Sequence, residues 1–79
     1  MRRVRIVADY EYHDGATEEA IAQLRENAHT NVIQRCRARD YTGTINVRDA
    51  EPTLRTSIDA QLPSVWVCRA YADIADPQS

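Results

Sequence analysis

Apolar and polar positions alternate through the first dozen residues of the chain. The apolar positions share one parity and are Val4, Ile6, Ala8, Tyr10 and Tyr12. Most of the residues between them are charged. Alternation of β-branched and aromatic side chains with polar ones is typical of a strand that buries one face. We therefore expect a strand over Val4–Tyr12, ended by the turn signal Asp14-Gly15.

After this turn the spacing of apolar residues changes to three and four. The residues that follow this spacing are Ile21, Leu24, Ala28, Val32 and Cys36. Such a stripe is typical of a helix that packs one face on a core. Thr17 offers an N-cap hydroxyl, and Glu18 and Glu19 follow it in the first turn, where the helix dipole favours acids. The pattern predicts a helix over Thr17–Arg37.

The second half of the chain carries shorter patterns. Thr44–Arg48 alternates and predicts a strand with Ile45 and Val47 inward. Residues 53–60 fit a helix by the spacing of Leu54 and Ile58. However, the threonines and the serine lower the helix propensity, and alternate residues from Leu54 to Ala60 fit one face of a strand, which we prefer. Val65–Tyr71 has apolar residues on both faces and predicts a central or covered strand. Residues 72–79 are expected to form a flexible tail.

These elements predict a single α+β domain over residues 1–79, with the order β-α-β-β-β. One helix is expected to pack on a small, mainly antiparallel sheet. A chain of 79 residues buries a thin core, so a partner or a second copy could help to stabilise it. The single helix leaves one sheet face uncovered, and solvent, a second copy or a target could cover it.

Charge is unevenly distributed, although the net charge is only −2. Residues 1–8 carry three arginines and no acid, whereas residues 9–26 carry six acids and one arginine. The six acids are Asp9, Glu11, Asp14, Glu18, Glu19 and Glu26. They either dock on a basic partner or form a solvated strand edge and helix start, and both interpretations stay open. Because a nucleic-acid binder usually has a basic excess, direct nucleic-acid binding is not expected.

No catalytic, metal-binding or membrane signature emerges from the residue types and spacings. Cys36 and Cys68 form no Cys-x-x-Cys motif, and they match no zinc spacing with His13 or His29. We expect both cysteines to be small buried residues, paired in a disulfide only if helix and strand touch there. We expect no enzymatic activity, cofactor or metal. Without an apolar run for a membrane span or signal peptide, a cytosolic location is expected.

The predicted layout resembles the small phage-encoded anti-CRISPR proteins that act on type I CRISPR surveillance complexes. The resemblance lies in architecture, and its segments are Val4–Tyr12, Thr17–Arg37, Thr44–Arg48 and Val65–Tyr71. Chain length suggests a type I-C inhibitor. The resemblance implies a stoichiometric, non-enzymatic inhibitor in the cytoplasm of an infected bacterial host. It would dock on the DNA-binding surface of the complex (Cascade) and block target DNA.

In such an inhibitor the acids would meet target cations that normally hold phosphates, and helix-end arginines would pair with target acids. The expected partner-binding residues are therefore Asp9, Glu11, Tyr12, Asp14, Glu18, Glu19, Glu26, Arg35, Arg37 and Arg39. One alternative is a small DNA-binding regulator or antitoxin that uses its arginine clusters, either at residues 2–5 or at the helix end. Another is a homodimeric interaction module, and the sequence leaves open whether the chain is a monomer or a homodimer.

Overall fold

The structure is a computed structural model and describes residues 2–56 and 64–77. It contains strand β1 (Arg3–His13), helix α1 (Glu18–Ala38) and strands β2 (Arg48–Asp49), β3 (Thr53–Arg55) and β4 (Val65–Ala75). The predicted α+β class and the order β-α-β-β-β are confirmed, with one helix packed on an antiparallel sheet.

Strand β4 forms the centre of the sheet. β1 pairs with one of its edges in an antiparallel register that runs without interruption from Arg3↔Ala75 to His13↔Val65. The opposite edge of β4 pairs with both short strands, β2 through Arg48↔Tyr71 and β3 through Thr53↔Val67. β1 is therefore an edge strand, and residues from near the two ends of the chain form the longest pairing in the fold.

The core lies between α1 and one face of the β1–β4 pair. Every second residue of each strand points towards the helix, which explains the alternation seen in the sequence. The buried apolar residues are Ile6, Ala8, Tyr10, Ala28, Val32, Cys36, Cys68, Ala70, Ala72 and Ile74. Because several of these side chains are small, the helix approaches the sheet closely and Val32 and Cys36 are fully buried.

Both ends of α1 are closed by local hydrogen bonds. The Thr17 hydroxyl accepts a hydrogen bond from the Ala20 amide at 3.1 Å, as an N-cap does. At the other end Asp40 adopts a left-handed backbone with φ of 64°. The amides of Asp40 and Tyr41 donate to the carbonyls of Arg37 and Cys36, which is the Schellman arrangement. These bonds stop the helix and turn the chain back over the sheet.

The predicted strand Thr44–Arg48 is wrong over most of its length. Of these residues Arg48 is in a strand, and β2 continues to Asp49. Ile45 and Val47 pack half-buried against the core without joining a ladder, so their alternation reflects burial instead of strand pairing. The preferred strand at 53–60 is present over Thr53–Arg55, and the part of that prediction from residue 57 onward lies outside the described residues.

The expected flexible tail at residues 72–79 is wrong through residue 76. β4 extends to Ala75, and Ala72 and Ile74 belong to the buried core. The Asp76 amide then donates to the Arg2 carbonyl at 2.8 Å and continues the pairing with the start of the chain. Ala70, Ala72 and Ile74 are apolar at alternate positions, a pattern that indicates a strand continuing beyond Tyr71. Gln78 and Ser79 lie outside the described residues.

Candidate partner-binding site

The structure divides the expected partner-binding residues among separate places. Asp9 and Glu11 lie on the sheet face away from α1, which we call the open face. Asp14, Glu18 and Glu19 lie where β1 ends and α1 begins, and we call them the acidic end. The remaining helical residues are Glu26, in the middle of α1, and Arg35, Arg37 and Arg39 at its C-terminal end. A helix of 21 residues is about 30 Å long, so the acids and the arginines do not form one patch.

Ion pairs cross the open face between neighbouring strands. Arg69 Nε donates to Asp9 Oδ1 at 2.9 Å, and Arg5 Nε donates to Asp73 Oδ1 at 2.9 Å. The hydrogen bond from Arg69 lowers the pKa of the Asp9 carboxyl, and that from Arg5 lowers the pKa of the Asp73 carboxyl. Arg55 similarly donates to Glu11 Oε1 at 3.1 Å. Asp9 and Glu11 are therefore partnered within the chain before any target binds.

Apolar and aromatic groups lie among these ion pairs. Val7, Val67 and Tyr71 are half-buried on the open face, and the Arg5 guanidinium carbon lies 4.4 Å from the centre of the Tyr71 ring. A shallow cavity of about 260 Å³ opens beside them, lined by Asp9, Ala50, Glu51, Thr53, Val67 and Arg69. Aromatic and arginine side chains are enriched at surfaces that contact other proteins.

The acidic end combines fixed and unpaired groups. Trp66 Nε1 donates to Asp14 Oδ1 at 3.0 Å, and the Trp66 ring stacks on Tyr12 with centroids 6.4 Å apart. Glu18 and Glu19 are exposed in the first turn of α1 and have no side-chain hydrogen bond or ion pair within residues 2–56 and 64–77. The positive end of the helix dipole offsets part of their charge. Their carboxylates are directed to solvent and are available to a partner.

The three helix-end arginines contact their own chain. Arg35 donates to the Val7 carbonyl at the edge of β1. Arg37 donates to the carbonyls of Tyr41 and Gly43 at 2.9 and 3.1 Å and so holds the loop after α1. Arg39 binds the Asp76 carboxylate at 2.5 Å, where the Asp76 side chain is 6% exposed. Each of these arginines therefore has a structural role that the sequence did not reveal.

A polar cluster that the sequence did not predict joins α1 to β2. His29 Nε2 lies 3.0 Å from Asp49 Oδ1, and Arg25 Nε lies 3.4 Å from Asp49 Oδ2. Arg25 also donates to the Tyr10 hydroxyl at 3.5 Å, and burial raises the pKa of that phenol. The spacing of Arg25 and His29 places them on one helix face, but their partner Asp49 lies 20 residues beyond His29 in the chain. These contacts hold α1 against β2.

Cys36 and Cys68 are both buried and both free. Burial raises the pKa of the Cys36 thiol, and the Cys68 sulfur donates to the Ala50 carbonyl at 3.1 Å. Among residues 2–56 and 64–77, no group of three or more histidine, cysteine or acidic side chains is placed to hold a metal ion. The same residues contain no helix with the length and apolar character needed to span a bilayer.

Comparison of the chain with known protein families, curated proteins and solved structures found no match. Its surfaces are the remaining guide to its function. The open face presents charges that are already paired, whereas the acidic end presents Glu18 and Glu19 without a cation inside the described part of the chain.

Proposed function

We propose that this protein is a non-enzymatic inhibitor that binds a type I CRISPR surveillance complex (Cascade) and blocks target DNA, as the anti-CRISPR proteins it resembles do. The observation that carries the proposal is that Glu18 and Glu19, at the acidic end, have no ion-pair partner in the described part of the chain. Exposed acids of this kind fit a basic protein surface that normally holds phosphates. The partner is therefore the DNA-binding surface of the complex, and the site of action is the host cytoplasm.

The geometry of α1 supports a contact of several charges. Glu19 and Glu26 are seven residues apart, so they lie on nearly the same side of the helix and about 10 Å apart along its axis. Both are exposed. A row of carboxylates on a rigid helix can engage several cations at once and raises the association rate by electrostatic attraction. Tyr12 and Trp66, stacked beside Asp14, add an aromatic platform at the same end.

The alternative of a DNA-binding regulator has less support. Arg5 is paired with Asp73 and Arg39 is paired with Asp76, so these charges are partly neutralised within the chain. Arg37 keeps its charge but is held against loop carbonyls. The net charge of −2 also opposes binding to a polyanion.

The direct test is binding of the purified protein to a purified type I surveillance complex, followed by a duplex-DNA binding assay on that complex. We expect a stable complex that no longer binds target DNA. The double variant Glu18→Gln, Glu19→Gln should lower the association rate by about tenfold at about 50 mM salt, and by less at about 300 mM salt. Glu51→Gln is the control, because Glu51 is exposed on the β2–β3 side of the molecule.

Two results would overturn the proposal. One is the absence of binding by the wild-type protein, and the other is equal association rates for the wild type and the double variant. Binding of duplex DNA by the protein alone, with a steep dependence on salt, would favour the regulator instead.

A further inference from the structure

The outer edge of β1 has no strand paired with it in the described part of the chain. β1 is 11 residues long, contains no proline, and pairs with β4 without a bulge. Such an edge presents a row of backbone donors and acceptors that can pair with another strand. Natural proteins usually interrupt or cover a long regular edge, so we expect another strand to pair with this one.

The direction of the backbone groups on this edge is fixed by two contacts. The Val7 carbonyl points away from β4, because it accepts a hydrogen bond from Arg35. The Arg2 carbonyl points towards β4, because it accepts one from the Asp76 amide. In an antiparallel pair these directions alternate along a strand. The odd-numbered residues therefore present their amides and carbonyls on the free edge, and they are Arg3, Arg5, Val7, Asp9, Glu11 and His13.

The charges of these edge residues are arranged symmetrically about Val7. Two arginines precede Val7 and two acids follow it at the same distances, and all of these side chains lie on the open face. If a second β1 runs antiparallel with Val7 opposite Val7, Arg3 faces Glu11 of the second copy and Arg5 faces its Asp9. Directly opposed charges of opposite sign stabilise an antiparallel pair.

We propose that two copies of this chain associate through their β1 edges, antiparallel and centred on Val7, to form one continuous sheet. The axis residue has its amide and carbonyl directed outward, so the Val7 residues of the two copies form a hydrogen-bonded pair. On the other face Ile6 lies opposite Ala8 of the second copy, and Val4 lies opposite its Tyr10. Both helices then lie on the same side of the extended sheet.

The existing ion pairs extend across this interface without a clash of like charges. Asp73 binds Arg5, and Asp9 binds Arg69, within each copy. In the dimer, one row of side chains crosses the four central strands. Its members are Asp73 and Arg5 of one copy, followed by Asp9 and Arg69 of the second copy, so the sign of the charge alternates at every step. Adjacent strands are about 4.8 Å apart, a distance at which such rows interact.

Other registers are less favourable. A shift of two residues in either direction leaves one arginine of each copy facing an acid instead of both. A shift of four residues places Arg5 opposite Arg5, or Asp9 opposite Asp9. A shift of one residue exchanges the two sheet faces and is excluded by the pleat. Charge pattern and backbone direction therefore select the same register.

Arg35 competes with the second copy for the Val7 carbonyl. Its contact must open before the Val7 pair forms, so Arg35 weakens the dimer that the edge would otherwise make. The variant Arg35→Ala is expected to tighten the dimer by about threefold or more, because it frees the acceptor at the axis and removes two like charges near it.

The test measures the mass of the protein by sedimentation equilibrium from about 1 to 500 µM, since dimerisation depends on concentration. We expect a change from the 9.0 kDa monomer to a particle of twice that mass. Val7→Pro removes the outward amide at the axis but no donor to β4, so it should leave a folded monomer. Val7→Thr keeps the amide and is the matched control, which should still dimerise.

A charge exchange tests the register independently. Arg3→Glu places like charges opposite each other twice in the dimer and should weaken it by about tenfold. The double variant Arg3→Glu, Glu11→Arg restores opposite charges and should recover most of that loss. Arg48→Glu makes the same change in charge on the far edge of the sheet and should have no effect on the mass.

A wild-type protein that stays monomeric over the whole concentration range would overturn the dimer. A Val7→Pro variant that still dimerises would do the same, because the interface would then lie elsewhere. Circular dichroism of each variant checks that the fold is retained. None of these measurements uses a CRISPR complex, so the dimer can fail while the proposed function stands, and the reverse also holds.

Discussion

Asp73 and Asp76 lie three residues apart, yet their surroundings make them contribute differently to the stability of the fold. Asp73 and its partner Arg5 are both well exposed, whereas the Asp76 side chain is 6% exposed against Arg39. Removing one partner of a buried pair leaves the other charge poorly solvated, and the buried Arg39 Nε already has no acceptor among residues 2–56 and 64–77.

We expect Asp76→Ala to lower the free energy of unfolding by about 1–3 kcal/mol, a range reduced from that of fully buried pairs because Arg39 is partly exposed. Asp73→Ala should have a much smaller effect, since exposed ion pairs contribute little. Urea unfolding of the two variants and the wild type checks this difference. Equal losses for the two variants would contradict it.

The acids of the open face determine how stability changes with pH. The hydrogen bonds from Arg69 and Arg5 hold the pKa values of Asp9 and Asp73 below the usual value for aspartate. A lowered pKa in the folded state means that the stabilisation is complete above the unfolded-state pKa of about 3.9 and is lost as the pH falls through the folded-state value.

We therefore expect the urea midpoint to fall as the pH is lowered from about 5 towards 2, and to fall less in the Asp9→Asn, Asp73→Asn variant. Carboxyl titrations followed by NMR should show the Asp9 pKa rising towards its usual value in Arg69→Gln. An Asp9 titration that is the same with and without Arg69 would exclude this cause.

At the scale of single elements, Thr17 determines where α1 begins. Its hydroxyl satisfies the Ala20 amide, and Glu18 and Glu19 of the acidic end follow it directly. Thr17→Ala should lower the free energy of unfolding by about 1 kcal/mol, whereas Thr17→Ser should be close to neutral. Urea unfolding followed by circular dichroism measures both. A loss in Thr17→Ser as large as that in Thr17→Ala would show that the methyl group, not the hydroxyl, is responsible.

β1 and α1 could be predicted because their patterns are local and long. The alternation and the three-and-four spacing each report a buried face that spans many residues. β2 and β3 contain two and three residues, and their existence depends on pairing with β4. No pattern in so short a segment can show that pairing, so the alternation of Ile45 and Val47 predicts a strand although they pack without one.

The same limit applies to the candidate site. The alternation of side chains along a strand was sufficient to place Asp9 and Glu11 together on one face, and capping preferences placed Glu18 and Glu19 at the helix start. Their partners depend on register: Arg69 faces Asp9 only because β4 pairs with β1 at one particular offset. The structural contact of Arg39 with Asp76 was hidden for the same reason, since the two residues are 37 apart in sequence.

At the scale of the whole molecule, the fold depends on joining the two ends of the chain. β1 and β4 are separated by more than 50 residues, and the helix packs on the surface that they form together. Closing so long a loop is entropically costly and must precede most of the core contacts. We therefore expect the β1–β4 pair and the underside of α1 to open together, as one cooperative unit.

The reactivity of the two cysteine thiols measures the opening of this unit on its helix side and on its sheet side. Cys36 lies on α1 and Cys68 on β4, they are 0% and 2% exposed, and burial raises the pKa of the Cys36 thiol. Since the thiolate is the reactive form, a thiol reagent should label neither cysteine quickly in the folded protein. With cooperative opening, both should be labelled at the same rate, and Asp76→Ala should accelerate both by the factor by which it raises the unfolding equilibrium constant.

The single variants Cys36→Ala and Cys68→Ala assign the two rates. Faster labelling of Cys68 by itself would show that β2 separates locally from β4, because the Cys68 sulfur lies against the Ala50 carbonyl next to β2. Faster labelling of Cys36 would instead show that α1 lifts from an intact sheet. Equal labelling rates that respond equally to Asp76→Ala would establish that the pairing of β1 with β4 stabilises the whole core as one cooperative unit.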